Sequence, residues 1–400
     1  MNALMLPSNW QRVRLGDIAE IIGGGTPSTQ VASFWNGSIN WFTPTEIGIT
    51  KYVHKSQRTI TLLGLKKSSA KLLPIGTILL TSRASIGDCA ILKVVATTNQ
   101  GFQSLIPLEK INNEFLYYLM LTLKNKLLKL ASGSTFLEVS PNKIKNLLIP
   151  LPPLNEQIAI ANILSDVDRY LYSLRALILK KESVKKALSF ELLSQRKRLK
   201  GFNQAWQKVR LGTYKYRRGS FPQPYGNPQW YSDNGMPFVQ VYDVGENFKL
   251  TQKTKQKISK IAQPMSVFVP KNSVIITLQG TIGRVALTQY DCYCDRTILI
   301  FDNNTLNDVN KYFFVLSLFT KFEEEKRKAD GSIIKTITKQ TLKDFEIPLP
   351  PLNEQIAIAN ILSDLDSEII SLKNKKRQFE NIKKALNHDL MSAKIRVLKK

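Results

Sequence analysis

The segment from Ile149 to Asp168, IPLPPLNEQIAIANILSDVD, returns from Ile347 to Asp366 as IPLPPLNEQIAIANILSDLD, 198 residues later in a chain of 400. Only Val167 and Leu365 differ among the paired positions. A chain that repeats itself at half its length has two equivalent halves, and whatever one half folds into must have a counterpart in the other. The echo reaches further. WQRVRLG (Trp10 to Gly16) returns as WQKVRLG (Trp206 to Gly212), and GTILLTSRASIGDCAI (Gly76 to Ile91) returns loosely as NSVIITLQGTIGRVAL (Asn272 to Leu287). NWFTPTEI (Asn40 to Ile47) faces PFVQVYDV (Pro237 to Val244), and ASGS from Ala131 faces ADGS from Ala329. Identity is nearly total around Pro-Leu-Pro-Pro and scattered elsewhere.

Each half reads as a globule followed by a long helix. Short β-branched runs such as Thr77 to Thr81 and Val274 to Thr277, bounded by Gly, Ser and Asn, predict strands and turns. Asn113 to Ser132 and the run from Asp308 have helical spacing. After Pro152-Pro153 and Pro350-Pro351, which cannot sit inside a helix, the pattern changes. Ile160, Leu164, Val167, Leu171, Leu174 and Ile178 recur at steps of four and three, the spacing of a coiled-coil seam. Their counterparts are Ile358, Leu362, Leu365, Ile369, Leu372 and Lys376. The stripe resumes at Val184, Leu188 and Leu192, mirrored by Ile382, Leu386 and Leu390.

Helices of about 40 to 45 residues, roughly 60 to 65 Å long, do not pack alone. The natural partners are each other, and an antiparallel pair would give the molecule an approximate two-fold axis. The competing arrangement folds each helix back onto its own globule. The expected fold is α+β: two mixed α/β globules and a long antiparallel two-helix coiled coil, in a pseudo-two-fold tandem repeat. The expected segments are a first globule over 1–150, a first helix over 151–199, a second globule over 200–348 and a second helix over 349–400.

Charge narrows the function. Fifty-seven Lys and Arg against 31 Asp and Glu leave a formal net charge of +26. Such a field favours a polyanion, because each neutralised phosphate releases counterions. Nucleic acid is the leading partner. An anionic membrane is the rival, but no basic helix shows a strongly apolar, aromatic opposite face. No apolar run approaches a membrane span and the start lacks a secretory core, so a cytoplasmic protein is expected.

Catalytic constellations are not apparent. Two histidines and three cysteines, Cys89, Cys292 and Cys294, offer too little for a zinc site, and Cys292-Tyr293-Cys294 reads as alternating strand positions with reduced thiols rather than a metal site or a bridge. IIGGGTPS (Ile21 to Ser28) lacks the Gly-Lys-Ser/Thr ending of a phosphate loop, so its glycines are assigned to a turn. Pro152-Pro153-Leu154 follows Leu151, with no amide or carboxylate to hold an exocyclic amine.

The Pro-Leu-Pro-Pro-Leu-Asn-Glu-Gln segment leading into a long helix, used twice, each time after a globule with TPTEI-like and SRASIG-like stretches, resembles the specificity subunit of a type I restriction-modification enzyme, with two target recognition domains. The resemblance covers essentially the whole chain. It implies that each globule reads one half of a bipartite, asymmetric DNA site and that the paired helices act as a spacer docking two modification (methyltransferase) subunits. It also implies that this chain is not itself an enzyme. Methylation of adenine with S-adenosylmethionine, and cleavage with ATP and Mg by restriction (translocase/nuclease) subunits, would belong to partners. Two other classes compete with this reading: a stand-alone DNA-modifying enzyme with an unrecognised site, and a basic coiled-coil scaffold addressing RNA or membrane.

DNA readers need polar side chains near base edges and small donors on phosphates. In the first globule the loop-like candidates are Thr26, Ser28, Thr43, Thr45, Ser82, Arg83, Ser85, Asn99 and Gln100. In the second they are Arg217, Arg218, Ser220, Gln223, Tyr225, Gln240, Gln279, Thr281 and Arg296. Asn155, Glu156, Gln157 and Asn162, with Asn353, Glu354, Gln355 and Asn360, are assigned to partner docking, because capping alone would not keep so many positions matched.

Overall fold

The computed structural model describes residues 6–133, 137–245, 247–280, 282–328 and 339–397. The chain forms two compact units that cut across the chain-order segments: residues 1–176 with 373–400, and residues 177–372. Each contains one globule and parts of both long helices.

In the first unit a five-stranded sheet runs in the order β2 (Ala19–Gly23), β9 (Gln103–Pro107), β6 (Ile78–Leu80), β7 (Cys89–Leu92), β4 (Tyr52–Val53). A three-stranded sheet has β3 (Trp35–Phe42) between β5 (Arg58–Ile60) and β8 (Ala96–Thr98), the latter pair parallel. β1 (Gln11–Arg14) pairs antiparallel with β10 (Leu148–Leu151), so the start of the globule is tied to the strand that leads into the double proline. The helices are α1 (Leu62–Lys66), α2 (Asn113–Thr122), α3 (Lys124–Leu130) and α4 (Pro141–Lys145). The single helix expected from Asn113 to Ser132 is therefore two, joined at Leu123.

The second unit repeats this plan. β11 (Gln207–Arg210) pairs with β20 (Glu346–Leu349), and a four-stranded sheet runs β12 (Tyr216–Arg218), β19 (Ile298–Phe301), β16 (Val274–Thr277), β17 (Val285–Leu287). The second sheet runs β14 (Gln256–Ile258), β13 (Tyr231–Val239), β18 (Cys292–Cys294), β15 (Val267–Val269), with β13 and β18 parallel. α6 (Lys311–Lys328) and α7 (Lys339–Asp344) complete the globule. Cys292 and Cys294 are buried on β18 and free.

Helices α5 (Leu154–Leu193) and α8 (Leu352–Met391) each start at the residue immediately after a Pro-Pro pair and run 40 residues. Their apolar stripe has two destinations. Ile160 and Leu164 of α5, with Leu390 and Met391 of α8, enter the core formed by β2, β6, β7, β9 and α2. Ile358 and Leu362 of α8, with Leu192 and Leu193 of α5, do the same in the second unit. Each such fully buried side chain contributes on the order of 2 kcal/mol. Docking on a globule and pairing between helices thus coexist. The seam is also shorter than the heptad count suggests: Val184 and Ile382 are exposed.

The helices run antiparallel within each unit. In the first, Glu156 meets Arg396, Asp168 meets Lys383 and the rings of Tyr170 and Phe379 lie 4.6 Å apart. In the second, Lys181 meets Glu368, Lys185 meets Asp366 and Arg198 meets Glu354. Adding 198 to one member and subtracting it from the other converts Glu156–Arg396 into Arg198–Glu354, and Asp168–Lys383 into Lys185–Asp366. The pairs are mates under the repeat, so each unit holds its helix segments by equivalent contacts.

Candidate nucleic-acid interface

The Asn-Glu-Gln signature lies at the root of each long helix. Glu156 is buried, its carboxylate accepting from Trp10 Nε1 at 3.1 Å and Arg396 Nε at 3.0 Å. Glu354 repeats this with Trp206 Nε1 at 3.0 Å and Arg198 Nη2 at 2.7 Å. The side-chain oxygen of Gln157 accepts from the Asn112 amide at 2.9 Å, and its Nε2 donates to the carbonyls of Lys110 and Pro152. Gln355 accepts from the Asn310 amide at 2.9 Å and donates to the Pro350 carbonyl at 2.8 Å. Asn112 and Asn310 in turn cap α2 and α6.

These four side chains bolt the helix to the globule. The expectation that Glu156, Gln157, Glu354 and Gln355 face a partner is corrected: they are buried and committed to bonds inside their own unit. Asn155, Asn162, Asn353 and Asn360 are exposed. Further along, Asp168 and Asp366 each receive a lysine and a tyrosine hydroxyl, from the buried Tyr118 and the half-buried Tyr312. Burial, then the carboxylate bond, pushes both phenols well above their ordinary pKa.

At the strand ends of the first unit four loops are stitched together by main-chain bonds. Gly25 N donates to Thr98 O at 2.8 Å, Asn99 N to Phe42 O at 3.0 Å and Ser82 N to Gly101 O at 2.8 Å. The glycines after β2 are there for close approach as well as for the turn. A Cβ on Gly24 would lie 1.9 Å from the Asn99 carbonyl oxygen, and one on Gly25 2.3 Å from the Ala70 nitrogen. The second unit has counterparts: Asp295 N to Val239 O at 3.0 Å and Leu278 N to Thr297 O at 2.8 Å mirror the Asn99 and Ser82 bonds, and Gly219 N to Ile298 O at 2.9 Å mirrors Gly24 N to Phe102 O at 3.4 Å. A Cβ on Gly219 would meet the Cys294 and Asp295 carbonyls at 2.3 Å.

One carboxylate fixes a loop in each cluster. Glu46 accepts from Thr43 N and Thr43 Oγ1, both at 2.7 Å, and from Gln57 N at 2.7 Å. Asp243 accepts from Gln240 N at 2.9 Å and Lys255 N at 3.0 Å. Burial raises the Asp243 pKa, with those amide bonds opposing the shift. Sequence reasoning chose Thr43 and Gln240 and passed over the acids that hold them, although Glu and Asp at the third helical position after Thr and Gln are a readable capping pattern.

The nominated residues separate by exposure. Thr26, Ser28, Thr45 and Gln100 are exposed, and the Thr26 hydroxyl bonds the Gln100 side chain. Thr43, Asn99 and Ser85 are half-buried. Ser82 is fully buried at a strand end, so its assignment as a DNA contact is corrected to a backbone role. Arg83 is paired with Glu138 at 2.7 Å. In the second cluster Arg217, Arg218, Gln223, Gln279 and Arg296 are exposed, while Ser220, Tyr225 and Gln240 are partly covered. Thr281 lies outside the described residues. Tyr225 donates to Asp295 and carries the Arg296 guanidinium 5.2 Å above its ring. Arg58, not anticipated from the sequence, stacks 3.7 Å over Trp35.

Among the described residues no cluster of three or more His, Cys, Asp or Glu is arranged to hold a metal, and no helix is long and apolar enough to cross a membrane. Two unlike, polar loop clusters on a repeated scaffold, in a strongly basic chain, define a double-headed nucleic-acid reader.

The family model described as type I restriction modification DNA specificity domain matches twice, over residues 7–181 and 219–381. The chain belongs to the family of type I restriction-modification DNA specificity subunits. It is 28% identical to the type I restriction enzyme MjaIX specificity subunit of Methanocaldococcus jannaschii over 98% of this chain and 95% of the relative. It is 37% identical to the EcoR124I/EcoR124II specificity subunit of Escherichia coli over 38% of this chain and 40% of that one. Two solved structures share the fold. The type I S subunit from M. genitalium has a TM-score of 0.59 at 17% identity, covering 97% of this chain and 98% of that one. The HsdS subunit from Thermoanaerobacter tengcongensis has a TM-score of 0.56 at 20% identity, covering 98% and 99%.

Proposed function

We propose that this chain selects a bipartite, asymmetric DNA sequence, one half through each loop cluster, for a type I restriction-modification complex in the cytoplasm, and performs no chemistry itself. The observation that carries the reading is the contrast within the repeat. The helix roots share their central bonds, tryptophan and arginine on the glutamate and the glutamine between a cap amide and a proline carbonyl, whereas the loop clusters share main-chain stitches and differ in nearly every exposed side chain. Two copies of one partner suit the first feature. Two different half-sites suit the second.

The docking face is the exposed side of each root. Leu154 and Ile158 are 45% and 42% exposed, and their mates Leu352 and Ile356 are 42% and 41% exposed. Asn162 and Asn360 extend that face by one helical turn, and Asn155 and Asn353 flank it. Paired apolar patches with the same exposure in both repeats are what two modification subunits docking by one surface require. Those subunits would use S-adenosylmethionine to methylate adenine after flipping it from the stack. Restriction subunits would bring ATP and Mg. Here the loops position and read, and partners react.

The test is methylation of a random DNA library by the chain co-assembled with its modification subunits. A split motif with unrelated halves is expected. Methylation by this chain alone, or an unsplit motif, would overturn the reading.

A further inference from the structure

We infer that Arg58 is a base-reading residue of the first loop cluster, directed at a guanine in the half-site that this cluster reads. The inference rests on the DNA-recognition reading above and adds a residue that the loop pattern does not reveal, since Arg58 sits on a strand. On β5 it lies opposite Trp41 in the antiparallel pair with β3. Its guanidinium carbon is 3.7 Å from the centre of the Trp35 ring and 5.5 Å from that of Trp41. The two indoles are buried and meet edge to face at 5.0 Å.

Both neighbours of Arg58 are nominated loops. The Trp41 indole N–H donates to Gly25 O at 2.9 Å and that of Trp35 to Ser28 O at 3.0 Å, so the platform under the arginine is also the mount of the Gly25–Ser28 loop. On the other side the Gln57 amide is held by Glu46, the acid that fixes the Thr43–Glu46 loop. The backbone of Arg58 is secured as well, its carbonyl accepting from Ser56 Oγ at 2.5 Å.

The electrostatics point outward. Arg83, the other arginine of this cluster, is neutralised by Glu138. Arg58 is exposed, and among the described residues no carboxylate lies within ion-pairing distance of it. A guanidinium stacked on an aromatic face keeps its planar fork of N–H donors free at the edge, with little rotamer entropy left to lose on binding. Guanine O6 and N7 are the acceptor pair that such a fork matches, and this is the commonest specific base contact made by arginine.

The second cluster arrives at the same device from a different place. Arg296 follows β18 rather than lying on the edge strand, and it rides on Tyr225, whose ring packs 5.1 Å from Phe221. Gln256 begins β14 in that unit. An aromatic-mounted arginine in each cluster, at non-equivalent positions, is what two unlike half-sites call for.

The experiment compares the wild-type chain, Arg58→Ala and Arg58→Lys, each assembled with modification subunits, on a DNA library randomised across both half-sites. Arg58→Ala should relax preference at one G·C pair of one half-site by roughly ten- to a hundred-fold, with the other half-site unchanged. Arg58→Lys should not restore it, because an ammonium neither stacks nor forks. Since the side chain is exposed and the indole bonds do not involve it, the variants should stay folded, with only a small drop in Tm from loss of the stack over Trp35. An unchanged motif would overturn the inference. So would uniform weakening with a shallower salt dependence, which identifies a phosphate contact. A wild-type assembly that reads no split motif would instead overturn the function on which the inference rests, so the two failures are distinguishable.

Discussion

The helix roots and the loop clusters of this protein stand in opposite relations to the repeat that generates them. At the roots, Trp10, Glu156, Gln157 and Arg396 find their counterparts in Trp206, Glu354, Gln355 and Arg198, with the same donors on the same acceptors. At the clusters the backbone stitches persist, but Thr43-Pro44-Thr45 faces Gln240-Val241-Tyr242 and Asn99-Gln100 faces Asp295-Arg296. Side chains are held fixed where they close a buried polar network, since a single replacement there leaves a charge or donor without a partner. They are free to diverge where the main chain alone maintains the shape. Architecture is thus carried by side chains in one place and by backbone in the other, which lets specificity change without disturbing assembly.

The strongest way to break the comparison is to remove a root carboxylate. Glu156→Ala and Glu354→Ala should each cost about 2 kcal/mol, because a part-exposed arginine and an indole N–H lose their charged acceptor. Equal losses in urea unfolding are expected. If one is silent, the roots are not equivalent.

A smaller effect tests the helix pairing. Double-mutant cycles on Asp168 with Lys383 and on Asp366 with Lys185 should give matching coupling energies of about 1 kcal/mol, limited by partial exposure. Unequal couplings, read from unfolding of the four single and two double variants, would mean that the equivalence of the two repeats is not an energetic one.

At the clusters, Glu46→Ala should lower stability by about 1 kcal/mol and blur one half-site only, measured as the methylated motif. Blurring of both halves would show that the clusters are coupled.

The smallest effect concerns Asp243. Its folded pKa is raised above 3.8 by burial, so the folded state holds the proton more tightly than the unfolded one. Stability from this group is present below the ordinary value and is lost as pH rises through the folded pKa. The stability difference between wild type and Asp243→Asn should therefore move against wild type as pH climbs past 3.8. A difference that does not vary with pH refutes the assignment.

Much of this was readable in the chain. The β-branched run from Val274 to Thr277 is a strand with those bounds, and helices begin just after each double proline, because proline supplies a start that local chemistry alone enforces. The heptad stripe was only half informative. Periodicity reports that Ile160 and Leu164 are buried, not whether the surface covering them is a helix or a sheet. The same limit explains Glu156 and Gln157: their conservation within the repeat was visible, but a partner and a buried indole both account for it until Trp10, 146 residues away, is brought to the carboxylate. Arg58 carried no signal, since its platform depends on the register between β3 and β5.

By itself the sequence determined the duplication, the basic field and the two long helices, all properties of composition and short-range spacing. Only the tertiary structure decided which carboxylates are bolts, which face of each root is open and which loops meet. Those depend on hydrogen bonds and packing between residues far apart in the chain, and no local pattern encodes such distances.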